Sequence, residues 1–166
     1  MAIHHPPTLI NAYLASKVPE ALPERFSGAF PFFPTMPTDI DALTETFPDA
    51  ANNVFCVYDR MIRMKRQAFS HIESEQVLYY FYKVAGDPEA LIETTQVVLD
   101  LLNYGDESAQ DLNEWVRNNP QSASEPVFFH NLRVYQLEET RDIVDFGTAR
   151  TWAGNKIIVD YDWHKG

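Results

Sequence analysis

A proline-rich aromatic stretch at residues 28–48, GAFPFFPTMPTDIDALTETFP, constrains the fold of this chain more than any other feature. Pro31, Pro34 and Pro37 lack an amide proton, and each biases the residue before it toward extended backbone. Such a segment cannot continue a helix or lie in the middle of a sheet. The sequence therefore predicts an extended arm over about residues 19–52, packed either on the chain's own sheet or on a neighbouring molecule.

Length and composition favour one globular domain spanning residues 1–166. Hydrophobic residues make up 45% of the chain and charged residues 22%, which argues against disorder. No apolar run approaches the roughly 18 to 20 residues that span a bilayer, so no membrane partner is expected, and the N-terminus lacks the pattern of a secretory signal. Cys56 is the only cysteine, which excludes an internal disulfide and favours a reducing compartment.

The charge of the chain is strongly acidic and unevenly distributed. Thirteen basic and twenty-four acidic residues give a net charge of −11, which repels nucleic acid. Four of the basic residues fall within residues 60–66, whereas residues 87–114 contain eight acids and no basic residue. This asymmetry suits contacts between identical copies, although a solvated loop and a solvated helix face would give the same pattern.

Hydrophobic periodicity predicts four helices and four strands. The helices cover residues 7–18, 39–47, 86–103 and 108–119, and the strands cover residues 52–61, 74–86, 127–137 and 156–166. The acidic residues 138–145 are predicted to leave the third of these strands, and residues 146–154 to form a loop or a strand tip. This order predicts an α+β fold with a mostly antiparallel sheet and helices packed on one face.

Motifs of catalytic chemistry are absent from the sequence. It has no glycine-rich phosphate loop, no GxSxG, no HExxH and no paired cysteines, and no cofactor is expected. Cys56 lies in an apolar strand pattern, which favours a packed thiol over a nucleophile. Asp160, Asp162 and His164 alternate, so a strand would project all three from one face, where they could hold a divalent metal. The alternative is an ordinary exposed strand face.

The remaining histidines and the basic segment carry weaker hypotheses. His4 and His5 could assist a metal site, whereas the sequence identifies no partner for His71 or His130. The basic segment has apolar residues between its charges and could contact phosphate, but the net charge opposes this and no base-reading module is recognisable. Tight DNA binding is therefore not expected.

Several phrases of the sequence are similar to those of a known family. PFFPTMPTDIDALTETFP, VYDRMIRMKRQAFSHIESEQVLYYFY and LLNYGDESAQDLNEWV resemble the tail terminator (tail completion) proteins of long-tailed bacteriophages, and the likeness extends from about Leu9 to Trp163. The resemblance implies an N-terminal helix, two strands, a helix and two closing strands. The proline-rich arm and the helix at 39–47 are additional to the smallest members of that family.

The resemblance implies a structural virion protein without enzymatic activity. Tail terminators form a ring, usually a hexamer, that ends growth of the tail tube and docks it to the head connector. The implied partners are other copies of the chain, the tail tube protein and the head–tail connector protein, with DNA passing through the lumen without specific binding. The implied location is the virion tail or neck, after assembly in the host cytoplasm.

The arm and the basic segment are the candidates for contacts with neighbouring subunits or partners. A lumen lined by carboxylates would repel passing DNA. A head-side connector ring would share these sequence features, and a small metal-dependent enzyme using Asp160, Asp162 and His164 is the alternative from another class. The candidate interface residues are Phe30, Phe32, Phe33, Met36, Arg60, Arg63, Lys65 and Arg66.

Overall fold

The computed structural model describes residues 6–24, 26, 30–34, 54–61, 72–84, 88–119, 127–145 and 151–165. Within these residues the chain forms three helices and five strands, which confirms the predicted α+β class. In chain order they are α1 (Pro6–Ala21), β1 (Phe32–Phe33), β2 (Phe55–Met61), β3 (Glu73–Val84), α2 (Pro88–Leu102), α3 (Asp106–Asn118), β4 (Val127–Asp145) and β5 (Thr151–Lys165).

The strands form one sheet in the order β1-β2-β3-β5-β4. The pairs β2–β3, β3–β5 and β4–β5 are antiparallel, and only the two-residue β1 pairs in parallel with its neighbour. Because Pro31 and Pro34 flank β1 and cannot donate to a ladder, this strand is short and lies at the sheet edge.

The helices pack on one face of the sheet, which we call the inner face. α2 contacts β3 and β5, α3 contacts β4, and α1 packs on the other two helices. Polar side chains join the layers as well. The Tyr79 hydroxyl donates to Asn11 Oδ1 at 2.7 Å, and Asn155 Nδ2 donates to Thr95 Oγ1 at 3.2 Å. These bonds satisfy groups that would otherwise be buried without a partner.

The inner face follows directly from the alternation of the sequence. On β5, Ile157, Val159, Tyr161 and Trp163 are buried, whereas the residues between them are half-buried on the opposite face. On β3, Val77, Tyr79 and Phe81 are fully buried opposite β5 and β2. Together with the apolar stripes of the helices, these residues form one continuous core.

A bulge in β4 changes which side chains face the core. The pairing with β5 is irregular between His130 and Arg133, and Asn131 has a φ of 49°. Asparagine tolerates this left-handed region better than most residues. Before the bulge Phe129 is buried, and after it Leu132 is buried, so Arg133 lies on the outer face.

Several element boundaries differ from prediction, most clearly the end of α1 and the end of β4. α1 begins at Pro6, one residue before the predicted start, and it continues through Pro19, where the arm was predicted to open. Proline fits the first turn, whereas Pro19 lacks the N–H that would bond to the carbonyl four residues earlier, so α1 ends soon after it. β4 continues to Asp145, so the prediction that residues 138–145 leave the strand was wrong, because pairing with β5 outweighs the acidic composition.

β5 begins at Thr151, earlier than the predicted start at residue 156. Residues 151–154 therefore belong to the strand, which agrees with the strand-tip alternative. The predicted helix at 39–47 lies outside the described residues.

Candidate interaction site

The outer face of the sheet, opposite the helices, carries a row of polar side chains on β3, β5 and β4. It surrounds an open depression of about 250 Å³. The row follows from strand alternation, because every second residue of a strand with one buried face must point away from the core. The side chains used below are Ser74, Gln76, His130, Asn131, Arg133, Asp160, Asp162 and His164.

Neutral donors hold the two carboxylates of this face. Ser74 Oγ donates to Asp162 Oδ1 at 2.5 Å, and Asn131 Nδ2 donates to Asp162 Oδ2 at 2.8 Å. Gln76 Nε2 donates to Asp160 Oδ1 at 2.7 Å. The αL backbone at Asn131 thus brings its amide to Asp162, so the bulge also shapes the polar face.

A histidine pair lies beside these carboxylates. His130 Nε2 and His164 Nδ1 are 2.8 Å apart, with ring centroids 4.8 Å apart and ring planes within 9°. These distances together describe an N–H···N hydrogen bond between ring edges, in which one ring donates and the other accepts. Phe128 stacks on the His164 ring with centroids 5.1 Å apart. Sequence reasoning found no partner for His130, because the partner depends on the β4–β5 register.

The predicted metal ligands share one face, and each is bonded to a neighbouring side chain of the described residues. Asp160, Asp162 and His164 all project outward, as their spacing predicted. Within the described ranges, however, no group of three or more metal-ligating side chains could hold an ion. Both Asp162 oxygens accept hydrogen bonds from protein donors, and His164 is bonded to His130.

The described part of the arm packs on the chain's own sheet. Phe30 is 4% exposed and stacks on Phe81 with centroids 6.0 Å apart. The Cys56 amide donates to the carbonyl of Pro31 at 3.0 Å, which fixes the backbone of the arm to β2. Phe30 is therefore a core residue in this chain, and it offers almost no surface to a partner.

The other candidate interface residues have different positions. Phe32 and Phe33 form β1 and are half-buried, with Phe32 also contacting the Phe30 ring. Arg60 lies on β2, paired with Val77 of β3. The other four candidates lie outside the described residues: Met36, Arg63, Lys65 and Arg66. The same holds for His4, His5 and His71.

The thiol of Cys56 is packed in the core. It is fully buried, and burial raises the pKa of the Cys56 thiol well above its ordinary value. The thiolate needed for nucleophilic chemistry is therefore disfavoured. This confirms the interpretation of Cys56 as a core residue.

A helix side chain bonds to the backbone at the free edge of β4, and the sequence did not predict this contact. Asn113 of α3 accepts from the Phe129 amide at 2.7 Å and donates to the Phe129 carbonyl at 3.0 Å. Its side-chain amide therefore replaces a neighbouring strand at this position of the sheet edge. Nothing in the local sequence indicates this contact, since it depends on how α3 packs against β4.

Comparisons with known proteins add no assignment. Neither the protein-family models nor the curated proteins give a match to this chain. Among the described residues, no helix combines the length and apolarity required to cross a membrane.

Proposed function

We propose that this protein is a structural ring protein of long-tailed phages that caps the tail tube, ends its growth and docks the tail to the head connector. The observation that supports this most is the order and pairing of its elements. An N-terminal helix precedes the antiparallel pair β2–β3, and two helices lead to the closing pair β4–β5 in the same sheet. The resemblance to tail terminators implies this order, with one helix instead of two between the strand pairs.

The architecture suits assembly into a ring. Among the described residues the helices pack on the inner face, and the polar row lies on the outer face around an open depression. Identical subunits in a ring meet through two different surfaces of the same molecule. A net charge of −11 also suits a ring through which DNA passes, because carboxylates in the lumen repel phosphate.

The proposed role is non-enzymatic. Asp160, Asp162 and His164 each bond to a neighbouring side chain of the outer face. A general base or metal ligand instead requires a lone pair directed at a substrate or ion. The outer face therefore fits a contact surface better than a reaction centre.

The first experiment is the solution mass of the purified protein by light scattering, followed by negative-stain images with and without tail tubes. We expect a closed ring, or a monomer that becomes a ring on tubes. Co-purification with heads instead of tubes would replace the terminator by a head-side connector. A monomer that ignores tubes and retains stoichiometric divalent metal, lost in D160A/D162A/H164A, would show a metal-dependent enzyme and overturn the proposal.

A further inference from the structure

α1 and α3 pack side by side, and an open groove of about 650 Å³ runs between them. Each helix contributes residues at i, i+4 and i+7, which form one row along a helix. The rows are Tyr13, Lys17 and Glu20 on α1, and Asp111, Trp115 and Asn118 on α3. Such a row is about 10 Å long at the usual rise of a helix, so the groove matches about two turns of a further helix.

The floor of the groove is aromatic. The rings of Tyr13 and Trp115 meet edge to face, with their centroids 5.6 Å apart. Tyr13 is 3% exposed, whereas Trp115 is half-buried and lines the groove with part of its indole. Among aromatic side chains, indole attracts a cation most strongly. The floor therefore offers a surface on which an ammonium or a guanidinium can lie.

Three exposed carboxylates surround this floor, Glu20 on α1 and Asp111 and Glu114 on α3. Among the described residues that line the groove, Lys17 is the one basic side chain, and its ammonium lies 3.7 Å from Glu20 Oε2. The lining thus carries a charge of 1 − 3 = −2. The field of these groups reaches the floor, since burial and then the charge of Asp111 raise the pKa of the Tyr13 hydroxyl.

The C-terminal ends of the helices add to the negative potential of the groove. Its lining includes Glu20, Leu101 and Asn118, each in the last turn of its own helix. A helix carries a partial negative charge at its C-terminus. Neither α1 nor α2 has a basic residue in its last turn to offset that charge. Carboxylates and helix ends therefore both favour a cationic occupant.

This lining selects the chemistry of the occupant. A groove between two helices suits a third helix, and carboxylates at its edges are complementary to basic side chains on that helix. Lysine and arginine have long aliphatic stems, which can lie on Trp115 and Leu101 while the charged ends reach the carboxylates. The three described helices of this chain contain only two basic residues, Lys17 and Arg117, so none of them presents such a face. The complementary helix is therefore expected from a different protein.

We propose that the groove between α1 and α3 binds a basic helical segment of a partner protein, with lysine or arginine at i, i+4 and i+7. One of these cationic side chains lies on the Trp115 indole, within reach of Asp111 and Glu114. The inference does not depend on the ring function, because the groove is formed entirely within one copy of the chain.

A synthetic peptide tests the groove directly. The probe is an alanine-based helical peptide with three arginines at i, i+4 and i+7, and its binding is measured by fluorescence anisotropy with a dye label. Without the label, the same peptide should shift the tryptophan emission of the wild type, and this shift should be absent from W115F. A control peptide of equal composition, with its arginines distributed around the helix, should bind at least about threefold more weakly.

Variants of equal charge locate the binding. D111N/E114Q removes two carboxylates of the groove and should weaken binding of the probe at least about tenfold. E89Q/E93Q removes two exposed carboxylates of α2 that are not part of the lining, and it is the control, with an expected change of less than about twofold. Both variants change the net charge by two, so a difference between them reports the position of the charges.

Three results would overturn the proposal. Equal losses in D111N/E114Q and E89Q/E93Q would show attraction to the net charge alone. A probe that fails to bind at about 1 mM, or that binds without changing the emission of Trp115, would show that the groove is not the site. A wild type that associates with itself, and whose copies separate in D111N/E114Q, would make a second copy the occupant in place of a partner protein.

Discussion

The two faces of the sheet use the same strands for different purposes. On β5, Ile157 and Val159 have no exposed surface, whereas Asp160 and Asp162, on the alternate side, are half-buried. The inner face removes apolar area from water, which is the main stabilising contribution to folding. The polar row of the outer face is held by hydrogen bonds between half-buried or exposed side chains, each with a small net contribution to stability.

This difference teaches that folding and surface recognition are encoded by alternate residues of the same segments. A substitution at an inner position should change the free energy of unfolding, and one at an outer position should change mainly what the surface can bind. The following predictions test that separation, with each inner-face change matched to an outer-face change where possible.

Phe81→Ala should have the largest effect. Phe81 is fully buried and packs on Phe30 and Tyr79. Its removal should lower the free energy of unfolding by about 3–5 kcal/mol, measured by urea denaturation. Phe128→Ala, at a residue 41% exposed on the outer face, is the control and should cost about 1 kcal/mol or less. Equal losses would show that the outer face is also core.

Tyr79→Phe should have the next largest effect. The Tyr79 hydroxyl is the donor to Asn11 Oδ1 in a buried site, so its removal leaves that oxygen without this donor. We expect a loss of about 1–3 kcal/mol in the same assay. Tyr135→Phe, on the exposed side of β4, removes a hydroxyl in water and should change stability by at most about 0.5 kcal/mol.

A buried thiol of the inner face predicts that the free energy of unfolding depends on pH. Burial raises the pKa of Cys56 above its ordinary value of 9.0, so above that pH the unfolded chain loses a proton that the folded chain keeps. Stability from this group is therefore complete below pH 9 and falls as the pH rises. Between pH 8 and 10 the loss is about 1.4 kcal/mol.

Cys56→Ala should remove this part of the pH dependence, measured as the difference in unfolding free energy at the two pH values. Tyr79, whose pKa burial also raises, should contribute at still higher pH in both proteins. An identical slope in wild type and variant would show that the thiol ionises freely in the folded state.

Asp162→Ala on the outer face should have the smallest effect on stability. It removes the acceptor of the bonds from Ser74 and Asn131, whose own polar groups can then bond to water. We expect a loss of about 1 kcal/mol or less, with an unchanged far-ultraviolet circular dichroism spectrum. A loss as large as that of Phe81→Ala would end the distinction between the faces.

The sequence was sufficient for features that depend on local pattern. Periodicity predicted a strand and two helices where β5, α1 and α2 lie, and their buried residues follow that periodicity. It did not decide between the two packing alternatives for the arm. The stacking of Phe30 on Phe81 depends on a contact between residues distant in sequence, so spacing alone could not resolve it.

The polar pairs of the outer face were less predictable for a related reason. Asp160, Asp162 and His164 all point outward because successive side chains of a strand alternate between its two faces. Their partners follow from the register of β3 and β4 against β5, which no local pattern determines. A one-residue shift of either neighbour would have paired them differently.

The bulge at Asn131 separates two segments of β4 whose core-facing residues differ in number parity. Before the bulge the residues that face the core have odd numbers, Val127 and Phe129. After it they have even numbers, Leu132 and Val134. A regular strand that kept this extra residue would turn one of the two segments inside out, with its apolar side chains in water. The backbone conformation at Asn131, more than the chemistry of any one side chain there, therefore determines which residues this edge of the sheet displays.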